Sequence, residues 1–258
     1  MLYDTIDLFK EYLGQRLSPE TARTYTTHIK PLLKTQSINF TADRLDVGKV
    51  IAFLAQVKNK NNYAKYKNAF LYFCHFLNIT LTDGQLRQIK EIGKQKPKKY
   101  RQLQATRFDV IDKKIKRLRN KKLKLSYQAL LATGLRVAEL AQITKDDCLI
   151  IGDELHFYFI GKGGIPSTTT ISKKENHQLF DNLITLIEAS KHKIFYSASY
   201  LQTNAKKLGF GCHDLRRIYA KAEYKKTKSK DLVRRKLRHS HIKTTNIYLK
   251  SKVIIKGG

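Results

Sequence analysis

The sequence predicts a mainly α-helical fold with one small antiparallel β-sheet, divided into two domains. Apolar residues recur at helical spacing through most of the chain, whereas one stretch, residues 149–171, is rich in β-branched and aromatic residues. A basic segment near residue 95 contains Gly and Pro but no apolar residue, which is typical of a linker. The chain has 258 residues, 41% of them hydrophobic, which suffices for packed cores and excludes wholesale disorder.

The first ninety residues predict a bundle of four short amphipathic helices. Gly14 is a stop signal after the first helix, and Ser18 and Pro19 are typical of the N-cap and first position of the second. We interpret the aromatic residues of Tyr63–Phe76 as core rather than as a platform for stacking bases. The four predicted helices cover Leu2–Leu13, Ala22–Leu33, Val47–Val57 and Tyr63–Leu77.

We predict a linker at residues 93–103, so that the domains would cover 1–92 and 104–258. The helical pattern resumes near Thr106, and an apolar helical stretch that ends at Leu140 is interrupted at Thr133 and Gly134. An antiparallel meander with Gly-containing turns follows, and the residues after Lys173 have a helical pattern. The predicted strands include Leu149–Ile151, Leu155–Ile160 and Thr168–Ile171.

Charge indicates the kind of partner. The chain carries 51 Lys and Arg against 21 Asp and Glu, a formal net charge of +30. Nucleic acid is the usual polyanion that such a protein binds, whereas an anionic membrane would favour a basic amphipathic helix with a bulky apolar face. The basic residues concentrate in two segments, 94–124 and 206–256. A surface of merely solvated lysines is the alternative that composition leaves open.

The three cysteines lie far apart, so we predict no disulfide framework and a reducing cytoplasmic location. The N-terminal sequence MLYDTIDLFKEYLG does not resemble a secretory signal, and no apolar run approaches the roughly 18–20 residues that span a bilayer. We predict no metal and no cofactor, because Cys212, His213, His239 and His241 match no standard zinc spacing. No carboxylate cluster or phosphate-binding Gly loop is recognisable either.

Five short motifs occur in order in the second half of the chain. Each motif alone is weak, because a single Arg, Lys, His or Tyr is more often a surface or core residue than a catalytic one. Their conjunction on a basic two-domain chain is far more specific. The motifs are TGLRVAEL with Arg136 and Glu139, GKGG with Lys162, HDLRR with His213 and Arg216, LRHS with His239, and TTNIY with Tyr248.

Together these motifs resemble the tyrosine recombinases, the family of phage integrases and Xer-like site-specific recombinases. Residues 1–92 resemble its helical, SAM-like core-binding domain, and residues 104–258 resemble its α+β catalytic domain. Arg238 stands where the family usually has Gly, and Ile165–Ser167 replaces a commonly basic segment. The resemblance implies that the catalytic residues are Arg136, Lys162, His213, Arg216 and His239, with Tyr248 as nucleophile and Glu139 as an accessory residue.

This resemblance implies that the chain cuts and rejoins duplex DNA through a 3′-phosphotyrosine, in integration, excision or resolution. Two guanidinium groups could neutralise the phosphate, His213 or His239 could accept the phenol proton, and Lys162 could protonate the departing 5′ oxygen. A phosphotyrosine conserves the energy of the phosphodiester bond, so neither metal nor ATP is expected.

The expected partners are double-stranded DNA and three further copies of the chain, in a homotetramer on paired DNA sites that passes through a four-way junction. The two domains would close around the duplex. A type IB topoisomerase and a non-catalytic DNA-binding relative are the alternatives. Predicted DNA contacts are Arg23, Thr24, Lys58, Lys60, Lys65 and Lys67 in the first domain, and Lys94, Lys96, Lys98 and Lys99 in the linker.

Overall fold

The structure is a computed structural model that describes residues 2–36, 45–97, 106–251 and 253–254. The chain divides into two compact units, Met1–Arg101 and Gln102–Gly258. In the described ranges it is mainly helical with a small antiparallel sheet, which confirms the predicted fold class. None of the described helices is both long and apolar enough to cross a membrane.

The described part of the first unit contains five helices. Ser18 precedes the second helix, where its hydroxyl accepts a hydrogen bond from the Thr21 amide and Pro19 occupies the first turn, as predicted. The helices are α1 (Leu2–Gly14), α2 (Pro19–Leu33), α3 (Val47–Gln56), α4 (Lys60–Phe76) and α5 (Asp83–Gln95).

Aromatic side chains form much of the core of this unit. Phe9, Phe70 and Phe73 are fully buried, and the rings of Phe9 and Phe73 meet edge to face at 5.1 Å. Tyr63 is also buried, and its hydroxyl donates a hydrogen bond to the carbonyl of Ile89 on α5. The interpretation of these three residues of α4 as core is therefore confirmed.

Helix α5 departs from the sequence prediction, which placed no helix there and began the linker at Gly93. A capping box starts the helix, in which the side chains of Thr82 and Gln85 each bond to the other residue's amide. The helix then continues to Gln95, so the first three residues of the predicted linker are helical. Residues 98–103 of that linker lie outside the described residues.

The second unit has an apolar core of its own. Helix α7 lies centrally, with Tyr127 fully buried and its hydroxyl 2.8 Å from the Leu201 carbonyl that accepts its hydrogen bond. Its elements are β1 (Thr106–Arg107), α6 (Phe108–Lys116), α7 (Lys121–Thr133), α8 (Val137–Gln142), a 3-10 turn (Lys145–Asp147), β2 (Cys148–Ile151), β3 (Glu154–Ile160), β4 (Pro166–Ser172), α9 (His177–Glu188), α10 (Ala198–Lys207), α11 (Cys212–Thr227), α12 (Lys230–Lys236), α13 (Ile242–Leu249) and β5 (Val253–Ile254).

Strands β2, β3 and β4 form the predicted antiparallel meander in that order. Along β3, Leu155, Phe157 and Phe159 are buried while the residues between them are more exposed, so one face of the sheet covers the core. The parallel pairing of β1 with β5, in which Thr106 lies opposite Val253, was not predicted. Helix α6 begins at Phe108, two residues after the predicted start.

Candidate active site

The turn between α7 and α8 places the first predicted arginine. Gly134 ends α7 with a φ of 62°, a left-handed conformation that favours glycine. A Cβ atom at this position would lie 2.3 Å from the Tyr219 ring, so glycine is required for space as well as for conformation. The chain then enters α8 with Arg136 as its N-cap, which fixes the direction from which this arginine enters the site.

Glu139 holds Arg136 at two points. Its Oε2 accepts a hydrogen bond from the Arg136 amide at 2.7 Å, and its Oε1 accepts one from Arg136 Nη1 at 2.5 Å. Burial alone would raise the pKa of Glu139, but these hydrogen bonds and the charges of Arg136 and Arg238 lower it below the ordinary value. Glu139 is therefore an ionised, buried carboxylate that orients a guanidinium group.

Arg216 lies on α11 and is completely buried. Its Nη1 donates a hydrogen bond to the Gly134 carbonyl and its Nη2 to the Leu237 carbonyl, and Nη1 is 3.9 Å from Oε2 of Glu139. Burial and the nearby charge of Arg136 lower the pKa of Arg216 to about 10. The group still carries its positive charge at neutral pH, and because it is shielded from water that charge acts more strongly on an anion.

Tyr248 lies near the C-terminal end of α13, with 8% of its surface exposed. Its hydroxyl is 3.1 Å from Nε2 of His213, which lies in the first turn of α11. Burial, followed by the charges of Arg217, Arg216 and Arg136, lowers the pKa of His213. The imidazole is therefore neutral near pH 7 and is able to accept a proton from the phenol.

The His239 ring also lies against Tyr248, with 4.8 Å between the two ring centroids. Its Nδ1 is joined by a 3.0 Å hydrogen bond to Oγ1 of Thr245, which is fully buried. Burial, then the charges of Arg216 and Arg136, lower the pKa of His239 to about 4, so this ring is neutral at physiological pH. Two neutral histidines thus contact one tyrosine.

The charge of this cluster suits an anionic ligand. Arg136, Arg216 and Arg238 surround the single carboxylate of Glu139, so positive charge is in excess. In the described part of the chain, the Nε atoms of Arg216 and Arg238 are buried and have no hydrogen-bond acceptor. An unsatisfied buried donor is costly, and an anion with an acceptor oxygen at Nε of Arg216 would remove that cost.

Comparison with solved structures identifies the fold. A lambda integrase dimer bound to a COC′ core site matches 97% of this chain over 77% of its own length, with 16% identity and a TM-score of 0.67. The XerH site-specific recombinase in its post-cleavage complex with a palindromic difH substrate matches 91% of this chain over 77% of its length, with 16% identity and a TM-score of 0.64. The chain has the tyrosine recombinase fold. No protein-family model and no curated protein sequence matches it.

Six of the predicted site residues meet in this tyrosine recombinase fold, although they come from four separated stretches of sequence. Their contacts, described above, link Arg136, Glu139 and Arg216 on one side and His213, His239 and Tyr248 on the other. Lys162 is not brought to them. It is exposed on the turn between β3 and β4 and makes no hydrogen bond or ion pair with the described residues of the cluster.

The predicted DNA contacts of the first unit differ in exposure. Thr24 is half-buried, and its hydroxyl donates to the Glu20 carbonyl at 2.8 Å. Lys94 is paired with Glu91 at 2.6 Å, and the Lys96 ammonium donates to the carbonyl of Ala55. Lys98 and Lys99 lie outside the described residues. Arg23, Lys58 and Lys65 are exposed, and Lys60 and Lys67 are half-buried.

Sequence reasoning missed two further residues beside the tyrosine. The guanidinium of Arg217 lies 5.9 Å from the centroid of the Tyr248 ring and is paired with Asp214 at 2.6 Å. Thr245 orients His239, as described above. Both lie inside motifs that the sequence singled out, HDLRR and TTNIY, but nothing in the motifs shows which neighbours of a catalytic residue point toward the site.

Proposed function

We propose that this chain is a site-specific DNA recombinase that cuts and rejoins duplex DNA through a 3′-phosphotyrosine at Tyr248. One observation supports the proposal most directly: a buried phenol lies within hydrogen-bond distance of a neutral imidazole, next to a cluster of arginines. The tyrosine recombinase fold and the net charge of +30 agree with a DNA substrate.

In the cleavage step, Tyr248 Oη attacks the scissile phosphorus while its proton passes to Nε2 of His213. The phenol needs this base because the ordinary pKa of tyrosine is about 10. Arg136 and Arg216 stabilise the negative charge that develops on the non-bridging oxygens, and their planar guanidinium groups can bind two oxygens at once. His239 packs against the phenol ring and restricts its orientation.

The 5′ oxygen leaves as the P–O bond breaks, and it must gain a proton. We assign this proton to Lys162, whose exposed position on a turn would require the turn to approach the phosphate when DNA binds. Rejoining is the reverse reaction: a 5′ hydroxyl attacks the phosphotyrosine and gives its proton back to Lys162, and the phenol leaves with the proton held by His213. The number of phosphodiester bonds is unchanged, so no external energy source is needed.

The proposed assembly is a homotetramer on two DNA sites. The lambda integrase has been solved as a tetramer bound to a Holliday junction, and its fold matches 97% of this chain with a TM-score of 0.63. We extend this arrangement to the present chain as part of the proposal. Four copies would exchange strands in pairs, and each copy would supply one Tyr248.

The decisive experiment is covalent trapping. A duplex is first selected from a random library by its binding to the chain, and a panel of such duplexes is then made with a nick at successive positions. Cleavage just upstream of a nick releases a short fragment, which prevents rejoining. We expect a protein–DNA adduct that survives denaturation and that ends at the 3′ phosphate of the cut strand.

Tyr248→Phe should form no adduct, whereas Tyr158→Phe, which alters an exposed tyrosine on β3, should form it at the normal rate. An adduct from the Tyr248→Phe protein would contradict the mechanism. Absence of an adduct from the unaltered protein on every nicked duplex would favour the non-catalytic alternative. Relaxation of a supercoiled plasmid that lacks the selected sequence would favour the topoisomerase alternative.

A further inference from the structure

Arg238 has a backbone conformation that its side chain disfavours. It follows α12 with a φ of 53°, and its amide donates to the Arg235 carbonyl at 2.9 Å while the His239 amide donates to the Arg234 carbonyl at 3.0 Å. This helix-ending turn usually contains glycine, because Cβ of other residues clashes with the following carbonyl oxygen. Glycine would therefore make the same turn without strain.

The Arg238 side chain points toward the site, with 21% of its surface exposed. Its Nη2 is 3.4 Å from Oε2 of Glu139, and its guanidinium carbon is 4.7 Å from the centroid of the Phe159 ring on β3. Its Nε is buried. The side chain thus links three elements, namely the turn that carries His239, the helix α8 and the sheet.

Another residue in the same unit shows the contrast. Lys228 follows α11 with the same φ of 53°, but it is exposed to solvent. Backbone strain at Arg238, whose side chain contacts both Glu139 and Phe159, indicates that these contacts compensate for the strain. Lys228 offers a position where the backbone can be relaxed without loss of such contacts.

The competition for Glu139 explains what Arg238 contributes. Oε2 of Glu139 is 3.4 Å from Nη2 of Arg238 and 3.9 Å from Nη1 of Arg216. Without Arg238, this oxygen would have Arg216 as its nearest remaining side-chain cation apart from Arg136. A closer Glu139–Arg216 pair would neutralise charge that the proposed mechanism uses on the phosphate.

We infer that Arg238 is a positioning residue: it holds the Glu139 carboxylate on Arg136 and away from Arg216, and it ties this carboxylate to the turn that presents His239. Its effect on cleavage rests on the proposed function, whereas its effect on Glu139 does not. Arg238 contacts the buried carboxylate rather than serving as a nucleophile, acid or base, so it is not a catalytic residue in this scheme.

The first test compares Arg238→Gly with Lys228→Gly in thermal unfolding and in single-turnover cleavage of the nicked duplex at saturating protein. Both substitutions place glycine at a residue with a left-handed backbone conformation and so remove the strain there. We expect Arg238→Gly to lower the cleavage rate about tenfold or more without lowering the unfolding temperature. Lys228→Gly should keep the normal rate, and Arg238→Lys should restore part of the lost rate. A normal cleavage rate for Arg238→Gly would overturn the inference.

The second test is a double-mutant cycle with Glu139→Gln. If Arg238 acts through Glu139, then Arg238→Gly should slow cleavage much less in the Glu139→Gln protein than in the unaltered protein. An equal loss in both backgrounds would show that Arg238 acts by another route, and would overturn the positioning role.

A third readout separates this inference from the proposed function. The charged groups that face Glu139 are Arg136 at the N-cap of α8, Arg216 on α11 and Arg238 after α12. In a carbon-13 NMR titration without DNA, the Glu139 carboxyl should titrate at a higher pH in Arg238→Gly than in the unaltered protein, and unchanged in Lys228→Gly. An unchanged Glu139 titration in Arg238→Gly would overturn the inference. If the Glu139 carboxyl titrates at a higher pH in Arg238→Gly but the unaltered protein forms no adduct with DNA, the recombinase proposal is refuted and the Arg238–Glu139 pairing is retained.

Discussion

At the scale of single residues, the site depends on small groups that fix larger ones. His239 has little freedom because a buried threonine hydroxyl bonds its Nδ1 and the Tyr248 ring lies 4.8 Å away. Arg136 is fixed in the same way by Glu139. Catalytic groups held within a narrow range of orientations need less reorganisation when the substrate binds.

Thr245→Val tests this dependence. Valine has nearly the same shape but no hydroxyl, so Nδ1 of His239 would lose its partner in the interior, which costs about 1–3 kcal/mol. We expect about tenfold slower cleavage and a clear decrease in the unfolding temperature. Thr244→Val is the matched control, because Thr244 is only half-buried and lies one residue away. Equal rates for the two variants would show that the hydroxyl does not position His239.

Acidification should destabilise the second unit below about pH 6.5. The pKa of His239 is lowered to about 4 in the folded chain, and that of His213 is lowered as well, whereas both are near 6.5 when unfolded. Between these values the unfolded chain binds more protons, so the free energy of unfolding decreases as the pH falls from 6.5 toward 4. Above pH 6.5 the contribution is fully present.

Urea unfolding at about pH 7.5 and pH 5.5 measures this effect. His239→Gln should lose less stability between the two pH values than the unaltered chain loses. His192→Gln should behave as the unaltered chain does, because His192 is exposed in the loop after α9. The explanation fails if the two variants show the same dependence on pH.

At the scale of elements, the turn between α7 and α8 organises the site. Gly134 allows the Tyr219 ring to pack against the backbone, and its carbonyl accepts a hydrogen bond from Arg216. The interruption at Thr133 and Gly134 was visible in the sequence. The contacts that require it were not visible, because Arg216 and Tyr219 lie on α11, more than eighty residues later.

Gly134→Ala should therefore lower both stability and activity. The left-handed backbone and the clash with Tyr219 together should cost about 2–5 kcal/mol, measured by urea unfolding. Gly152→Ala isolates the conformational part, because Gly152 has a φ of 56° and no atom within 4 Å of an added Cβ. We expect the Gly152→Ala protein to lose about 1–2 kcal/mol of its free energy of unfolding and to cleave DNA at the normal rate. Similar losses in the two variants would show that the packing of Tyr219 is unimportant.

The sequence predicted the helices and strands that have strong local patterns and missed those that depend on distant partners. Helix α5 has few apolar residues, and it contains Gly93 because an added Cβ would lie 2.8 Å from the Tyr63 ring. Without knowledge of the Tyr63 contact, that glycine and the lysines after it indicate a linker. Strands β1 and β5 have two residues each, and they pair although most of the sequence of the second unit separates them. No local sequence pattern therefore predicts them.

For the site, the motifs predicted six residues that meet and one, Lys162, that the structure does not bring to them, and they did not show what holds the six in place. Arg238 was visible in the sequence only as a departure from the usual glycine of the family. Its partner Glu139 is 99 residues away, and its aromatic neighbour Phe159 is 79 residues away. Such contacts follow from the tertiary fold alone, and they decide whether a basic residue is a solvated surface group or part of the site.

At the scale of the whole molecule, the net charge of +30 far exceeds what one phosphate pocket requires. Much of it lies on exposed lysines in both units, and in the proposed function these lysines would contact DNA phosphates along the duplex without reading the sequence. The affinity for DNA should therefore be high at low salt concentration and should fall steeply as the salt concentration rises, because each phosphate that a lysine neutralises releases bound counterions.

Lys65→Gln tests whether α4 contributes to this contact. Lys65 is exposed on α4, and Lys10 is an exposed lysine on α1 of the same unit, so the two substitutions remove the same charge from different helices. If Lys65 contacts a phosphate, the slope of log affinity against log salt should become shallower by about 1 for Lys65→Gln and stay unchanged for Lys10→Gln. A slope for Lys65→Gln that equals that of the unaltered protein would show that Lys65 does not contact the DNA backbone. A shared decrease would mean that the affinity reflects the overall charge rather than a defined contact surface.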